Sequence, residues 1–520
     1  MWLHAEIRTL GDIVRHYAQV RPDAPALIDD QGARSFRELD LASNRIANSL
    51  LERGLQPGTR VALLGRNSVH FFALLFGTGK AGLALLPLNW RLAPPEIAAI
   101  MDDASPELLL VDHEFASVAQ AMSRLRQMPC AQLEFDSVRD GPALFGELTS
   151  AAVMADLERP VDPWQTAVLM YTSGTTGEPK GVQLSHQGYL YLRLCEHLEP
   201  SFRYEPDDVM LTVMPLFHAM GTGLALQALY NGAAVAVYAM PDPAGLMKLI
   251  ASTRPTIVPL VPTVIQMLLD HPEAATADYS SIRIVVYAGS SIGAHLLERA
   301  IREMKCEFMQ FYGATETSTG VTLLRPSQHR LDQPHTLKSC GTPLPLIDIR
   351  VVDPAGVDLP DGEIGELIIR SPSLATGYFN QPATTAAAFI DGWYRSGDAG
   401  YRDAEGLLYI VDRVKDMIVT GGENVYSSEV EQAVLKVAGV RMCAVIGLPD
   451  DKWGERVVAA IVVEESATVS AGDIVLRCRE FIAGYKVPKQ VFFLDDLPMT
   501  STGKISKRTL REQLMSPSRG

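Results

Sequence analysis

The sequence predicts an α/β protein in which a large N-terminal region of layered α/β subdomains carries a small β-rich subdomain and is followed by a small α+β C-terminal domain. Three observations predict it. Strand-like and helix-like stretches alternate for some 250 residues ahead of Ile347, the pattern of parallel strands joined by crossover helices. From Ile347 to Ile410, short strand-like runs follow one another across Gly, Pro and Asp turns with no long helix between them. After Val414 the helix–strand alternation restarts. A chain of 520 residues is too long for one core, so domains are expected at 1–414 and 415–520, with the β-rich subdomain at about 340–412.

Taken in order, residues 12–53 hold two amphipathic helical patterns, around Ile13–Ala18 and Leu39–Leu51, and between them lies Ala26–Asp29 with a turn at Asp30–Gly32. Val61–Leu64 is a buried strand. A GxGxxG pattern follows at Gly77–Gly82, with Asp102 twenty residues beyond. It is not a dinucleotide fingerprint, because a helix must follow those glycines and Pro87 intervenes. A small-residue helix packed closely before a strand is expected instead. Glu107–Val111 is an apolar run, strands are expected at Asp207–Pro215, Ala233–Met240, Thr256–Val261 and Ile282–Ala288, and helices at Glu114–Met122, Thr263–Leu269 and Ala294–Lys305. In the β-rich stretch the strands are Ile347–Val352, Gly365–Ile369 and Leu407–Ile410. Beyond it come a helix at Ser428–Lys436, strands at Met442–Gly447 and Val457–Val463, a helix at Ser470–Ile482 and a strand at Gln490–Leu494.

Composition excludes several classes. Hydrophobic residues at 47% and charged residues at 21% are those of a soluble globular chain. A net charge of −15 argues against nucleic acid as a partner. The six cysteines lie at no CxxC spacing, so neither a zinc site nor a disulfide framework is indicated, and a reducing cytoplasm fits. The N-terminal stretch has charges throughout and no apolar core of a signal peptide. The longest uncharged run, Ala219–Pro241, is split at Asn231-Gly232 into a helix-like and a strand-like half, so a transmembrane span is not expected.

Chemistry concentrates in Tyr171–Gly181, which reads YTSGTTGEPKG. Glycines let backbone N–H groups approach phosphate oxygens, the hydroxyls of Thr172, Ser173, Thr175 and Thr176 add donors, and Lys180 adds a point charge. A polyanion suits such a loop. It is not a Walker A motif, because Lys180 lies between Pro179 and Gly181. Four further stretches punctuate the chain. Tyr312–Glu316 (YGATE) follows an apolar run, at a strand end of the kind where α/β ligands bind. Trp393–Asp398 ends on an aspartate after a glycine. Asp412–Asp416 and then Gly421–Asn424 are dense in charge and glycine. Pro498–Lys504 places a lysine after a polar turn.

Together and in this order, these motifs resemble the adenylate-forming superfamily of acyl-CoA synthetases, luciferases and peptide-synthetase adenylation domains, with the pattern of the fatty-acyl-CoA ligases fitting best. The resemblance runs from about Leu10 to about Leu510. Ser396 stands where the family usually has threonine, Ser427 where proline is frequent, and Met499 where a basic residue is common.

The resemblance implies ATP, Mg²⁺ and coenzyme A as co-substrates and cofactor. It gives the Thr172, Ser173, Gly174, Thr175, Thr176, Gly177, Lys180 loop the β- and γ-phosphates, and the backbone of Gly289, Ser290 and Ser291 the adenine pocket. Tyr312 would stack on the base beside Gly313, Thr315 would reach the α-phosphate, and Glu316 would hold Mg²⁺. Asp398 would take the ribose hydroxyls and Arg413 the ribose-phosphate side. Lys504 would approach the carboxylate and α-phosphate, with Thr175, Lys180, Glu316 and His218 as the other catalytic groups. Lys415 would be the hinge of a mobile C-terminal domain, whose rotation withdraws Lys504 and presents Gly421 and Gly422 as the wall of a pantetheine tunnel.

The acyl pocket is expected near Phe217, His218, Met220, Gly221, Gly223, Val261, Pro262, Tyr287, Gly313 and Ala314, with the small residues leaving room for a large acyl group. Amino-acid-activating relatives carry an aspartate after the phenylalanine; here His218 follows Phe217, which disfavours an amino acid. The expected activity is therefore an AMP-forming ligase joining a hydrophobic, medium- or long-chain or bulky alkyl carboxylic acid to CoA, in a chain compatible with a homodimer. An aryl-acid ligase or luciferase-like relative is a second reading. A non-catalytic nucleotide sensor is a third, against which Lys504, Glu316 and Asp398 together speak.

Overall fold

The structure is a computed structural model, described for every residue except 1–3, 128, 139–144, 150–152, 158, 173–178, 291, 422, 465–466, 501–504 and 516–520. Contacts between residues divide the chain into two compact units, Met1–Ile349 with Ile369–Tyr394, and Arg350–Ile368 with Arg395–Gly520. The β-rich stretch expected at about 340–412 is thus shared between the two units.

Among the described residues, two sheets lie wholly within the first unit. Among the described residues, the larger has nine strands in the order Thr342–Pro343, Gly320–Leu324, Glu307–Gly313, Ile284–Tyr287, Ile257–Leu260, Val209–Thr212, Ala234–Val237, Pro25–Asp29, Gly32–Ser35. The six from Glu307–Gly313 to Pro25–Asp29 are parallel, and antiparallel strands close both edges. The central strands are buried on both faces, which is why they read as unbroken apolar runs. Leu260, Val285 and Phe308 pack against Leu246, Ile265 and Leu297 of the crossover helices. The second sheet runs Ala131–Phe135, Leu108–Asp112, Arg60–Leu64, Ala84–Pro87, Thr166–Thr172, Lys180–Ser185, parallel except for the last strand.

The Gly77–Gly82 pattern lies where a close-packed helix was expected. Val69–Ala81 is helical and Gly82 ends it with a left-handed φ of 71°. A Cβ on Gly77 would stand 2.6 Å from the Ile46 side chain, so glycine is required by helix packing. Lys80 is fully buried and donates to Asp40 Oδ1 (2.5 Å) and Asn44 Oδ1 (2.7 Å). The uncharged run from Ala219 splits as expected into a helix, Ala219–Tyr230, and a strand, Ala234–Val237. Among the described residues no helix is long and apolar enough to cross a membrane.

The second unit is built on a long hairpin, Val440–Asp450 paired with Gly454–Val463, flanked by Ile418–Thr420 and, in parallel, by Gln490–Phe493. Alternation along the hairpin feeds two cores. Cys443, Val445 and Ile461 face Val430 of the helix Ser427–Val434 and Ile474 of Ala471–Cys478, while Ala444, Ile446 and Val458 face Leu510 of Lys507–Met515. The helix expected over Ser470–Ile482 is shorter than read. Ser470 and Asp473 cap its start reciprocally, and it ends at Cys478.

Candidate active site

In the first unit the carboxyl ends of the parallel strands gather the expected nucleotide and acyl residues. Phe217-His218 follows Val209–Thr212, Val261-Pro262 follows Ile257–Leu260, Gly289-Ser290 follows Ile284–Tyr287, and Tyr312–Glu316 ends Glu307–Gly313. Sequence-distant loops meet there because the strands are parallel and in register. Gly289 has a φ of 89°, a conformation that favours glycine at this sharp exit.

The Tyr312–Glu316 turn is held rigidly. Gly313 lies where the backbone of Thr319 approaches so closely that a Cβ would stand 2.0 Å from the Thr319 carbonyl oxygen. Thr317 Oγ1 accepts from Ala314 N (2.9 Å) and donates to Thr319 O (2.6 Å), and Ser318 Oγ donates to Ser373 O (2.6 Å). Glu316 is positioned from a segment that the sequence reading missed: Tyr378 Oη donates to Glu316 Oε1 (2.8 Å), and Ala375 N donates to Glu316 O (2.7 Å). Burial first, then the Glu316 charge, pushes the Tyr378 phenol well above its ordinary range, so it stays a donor.

The same segment braces the neck of the glycine loop. Thr172 and Lys180 face each other in the antiparallel pair Thr166–Thr172 and Lys180–Ser185. Phe379 N donates to Gly181 O (2.7 Å), Gln381 Nε2 donates to Pro179 O (3.2 Å), and Lys180 Nζ lies 5.0 Å from the Tyr378 ring centroid. Lys180, Tyr378 and Glu316 therefore form one constellation of cation, ring and carboxylate. The only signal of Tyr378 in the sequence is an aromatic after Gly377, ahead of Pro382. Ser173, Gly174, Thr175, Thr176 and Gly177, together with Ser291, Gly422 and Lys504, lie outside the described residues.

The second unit carries the expected ribose pair. Asp398 and Arg413 face each other on paired strands, and Arg413 Nε lies 2.7 Å from Asp398 Oδ1. Ser396 organises them: its Oγ accepts from Asp398 N (3.0 Å) and donates to Leu367 O (2.6 Å), while Arg413 Nη1 donates to Ser396 O (3.2 Å). Lys415 is exposed on the short turn Val414–Asp416. Gly421 has a φ of 62°, its N–H donates to Trp453 O (2.8 Å), and a Cβ there would meet the Trp453 ring at 2.9 Å.

The acyl-pocket expectation needs one correction. Gly221 and Gly223 leave no room for a large acyl group, because the protein's own chain fills that space. A Cβ on Gly221 would stand 2.4 Å from Pro215 O, and one on Gly223 would stand 1.8 Å from the Thr319 side chain. Tyr287 is fully buried in the helix-side core, its hydroxyl 3.0 Å from His329 Nε2. His218 caps the helix Ala219–Tyr230, its Nδ1 accepting from Met220 N (3.4 Å). Phe217, by contrast, joins an aromatic patch, with its ring centroid 6.5 Å from that of Trp90 at 83°.

The family profile described as AMP-binding enzyme matches residues 14–379, and that of the AMP-binding enzyme C-terminal domain matches residues 429–504. The chain belongs to the AMP-binding enzymes. It is 34% identical over 517 residues to the fatty acid–[acyl-carrier-protein] ligase ScoC of Streptomyces coeruleorubidus, covering 99% of this chain and 98% of that one. It is 35% identical over 507 residues to a feruloyl-CoA synthase of an Amycolatopsis species, covering 97% and 99%. The long-chain-fatty-acid–CoA ligase FadD13 of Mycobacterium tuberculosis is 34% identical over 520 residues, covering 98% and 99%. Among solved structures, the Bacillus subtilis o-succinylbenzoate CoA synthetase in complex with ATP and magnesium superposes with a TM-score of 0.84 at 30% identity, covering 96% and 98%. The expected fold class and family are thus both found, and the enzymes of this acid–CoA ligase family use ATP, Mg²⁺ and CoA.

The residues present fit a magnesium ion. Mg²⁺ takes hard oxygen ligands and keeps several waters, and Glu316 offers a carboxylate already oriented by Tyr378 at a strand end.

Proposed function

We propose that this AMP-binding enzyme activates a hydrophobic monocarboxylic acid, medium- or long-chain or bulky alkyl, and transfers its acyl group to CoA. In the first step a carboxylate oxygen attacks the α-phosphorus of ATP, and the bond from that phosphorus to the β-bridging oxygen breaks to release pyrophosphate. In the second the CoA thiolate attacks the acyl carbonyl, the bond to the adenylate oxygen breaks, and AMP leaves. The first step brings two anions together, so cationic groups must offset repulsion and stabilise the charge-rich transition state. Lys180 and the loop from Thr172 would hold the β- and γ-phosphates, Thr315 the α-phosphate, and Tyr312 with Gly289 and Ser290 the base. Asp398 and Arg413 would hold the ribose, and Lys504 the reacting oxygens. Glu316 would hold Mg²⁺, which offsets phosphate charge when bound. Lys415 would act as hinge between the two steps, and Gly421-Gly422 as the wall along which pantetheine enters.

The observation that carries the substrate reading is the position after Phe217. His218 takes it as a helix cap, with its Nδ1 engaged by Met220 N, where an α-ammonium would need a carboxylate. The neighbours Phe217, Met220, Val261 and Pro262 are apolar. Two relatives named for fatty acids support an alkyl substrate. The Trp90–Phe217 pair and the feruloyl-CoA relative favour a second reading, an aryl acid. Pyrophosphate release across linear alkanoates, branched alkanoates, cinnamates and arylacetates, with and without CoA, decides between them. The alkyl reading expects the highest kcat/KM for a linear or branched alkanoate; a cinnamate or arylacetate at the top replaces it with the aryl one.

A further inference from the structure

Far from the nucleotide residues in sequence, the N-terminal segment brings together three ligating side chains that the ligase reaction does not use. His4 and Glu6 precede the helix Leu10–Val20, and His16 lies on it. His16 Nδ1 is 2.8 Å from Glu6 Oε1, and His4 Nδ1 is 3.9 Å from the same oxygen. One ligand atom from each residue lies within 4.8 Å of the other two, and the two imidazole rings are 4.3 Å apart between centroids.

The hydrogen bonds around His4 fix which nitrogen faces the carboxylate with a lone pair. The Tyr17 hydroxyl donates its proton to the Tyr230 carbonyl oxygen (2.8 Å). Towards His4 Nε2, 3.4 Å away, it can therefore only accept. The His4 proton belongs on Nε2, and Nδ1 presents its lone pair towards Glu6 Oε1. His4 Nδ1 and Glu6 Oε1 thus turn lone pairs towards each other, as two ligands of one cation do. The Nε2–H to tyrosine contact is the outer hydrogen bond that orients a metal-ligating histidine.

We propose that His4, Glu6 and His16 form a binding site for one divalent transition-metal ion of the Zn²⁺ class, fastening the N-terminal segment to the first helix. Bonds of about 2.0–2.1 Å in a tetrahedral site put ligand atoms roughly 3.3 Å apart. The 2.8 and 3.9 Å separations bracket that spacing; the proton that joins His16 Nδ1 to Glu6 passes to Nε2 or to solvent as the metal enters, and small side-chain adjustments complete the site. Two imidazoles and one carboxylate suit Zn²⁺, Co²⁺ or Ni²⁺ and disfavour Mg²⁺ and Ca²⁺, which take oxygen. Glu6, with 59% of its side chain exposed, leaves the fourth position open to water.

Calorimetric titration of the chelator-stripped full-length protein with ZnCl₂ tests this. Wild type should bind one more equivalent of Zn²⁺ than His16→Phe or His4→Phe, and it should give no heat with MgCl₂ at this site. Tyr17→Phe, which removes the orienting hydroxyl, should weaken that equivalent by about 10–100-fold. Co²⁺ should give a visible d–d absorption band that is lost in the same variants. Should a histidine variant fail to fold, Glu6→Gln, at an exposed side chain, carries the comparison. Equal stoichiometry in wild type and Glu6→Gln or His16→Phe, or a Co²⁺ band unchanged between them, overturns the proposal.

Discussion

Ser396 stands where the AMP-binding enzymes usually have threonine, and the structure uses only what the two residues share. Its hydroxyl links Asp398 N to Leu367 O, so serine does the work of threonine beside Asp398. The Ser427 departure is absorbed differently: its hydroxyl donates to Asp412 Oδ2 (2.5 Å) and accepts from Lys507, which also pairs with Glu431 (2.9 Å). Proline could make neither bond. Asp398→Ala should raise the apparent KM for ATP, since losing hydrogen bonds to a charged group costs about 1.5–3 kcal/mol, or roughly 10–100-fold; an unchanged KM would return Asp398 to a purely structural partner of Arg413. Tyr378→Phe removes the side-chain bond that Glu316 accepts from Tyr378 and should lower kcat for adenylation by about 10-fold or more on the same scale. Its Mg²⁺ requirement should shift to higher concentration, and wild-type kcat and Mg²⁺ dependence in the variant would show that Glu316 needs no such support. Tyr378 was not legible in the sequence because one aromatic in a polar stretch carries no periodic signal.

At the scale of elements, the buried parallel strands were legible because burial on both faces leaves an apolar run. The ten-residue strand Trp393–Arg402 was not, because its sequence mixes charge and glycine; its partners, Asp398↔Arg413 to Arg402↔Leu408, hold it in place. The helix Lys507–Met515 went unread for a similar reason: Leu510 is its one buried residue. Glycines misled in the other direction. Gly221, Gly223 and Gly313 are small because the chain itself passes close by, an approach between distant residues that local sequence does not encode. Gly421 is tied by its positive φ and by Trp453, so a side chain there should strain the second unit. Gly422→Leu tests the tunnel instead: it should retain acid-dependent pyrophosphate release in a single turnover, lose acyl-CoA formation, and accumulate enzyme-bound acyl-AMP. Parallel loss of both half-reactions with an early melt would make Gly422 a turn glycine.

Across the whole molecule, the order of motifs made the family legible. Stability should also be acid-sensitive. Burial above all pushes His70, His186 and His329 down to about 4 from an ordinary 6.5. Between these values the unfolded chain binds three protons that the folded chain does not, so stability is full above about pH 6.5 and falls as pH drops towards 4. Each histidine contributes up to about 3 kcal/mol of this loss. The melting temperature should therefore fall clearly between about pH 7.5 and about pH 5, and a flat profile would mean that these rings are protonated in the folded state. The central claim, carboxylate attack on the α-phosphorus of ATP, is tested most directly by isotope transfer. With an alkanoate labelled with ¹⁸O in both carboxylate oxygens, and with ATP, Mg²⁺ and CoA, mass spectrometry of the products should find one ¹⁸O in AMP and none in pyrophosphate. Label in inorganic phosphate with ADP as co-product, or unlabelled AMP, would contradict it.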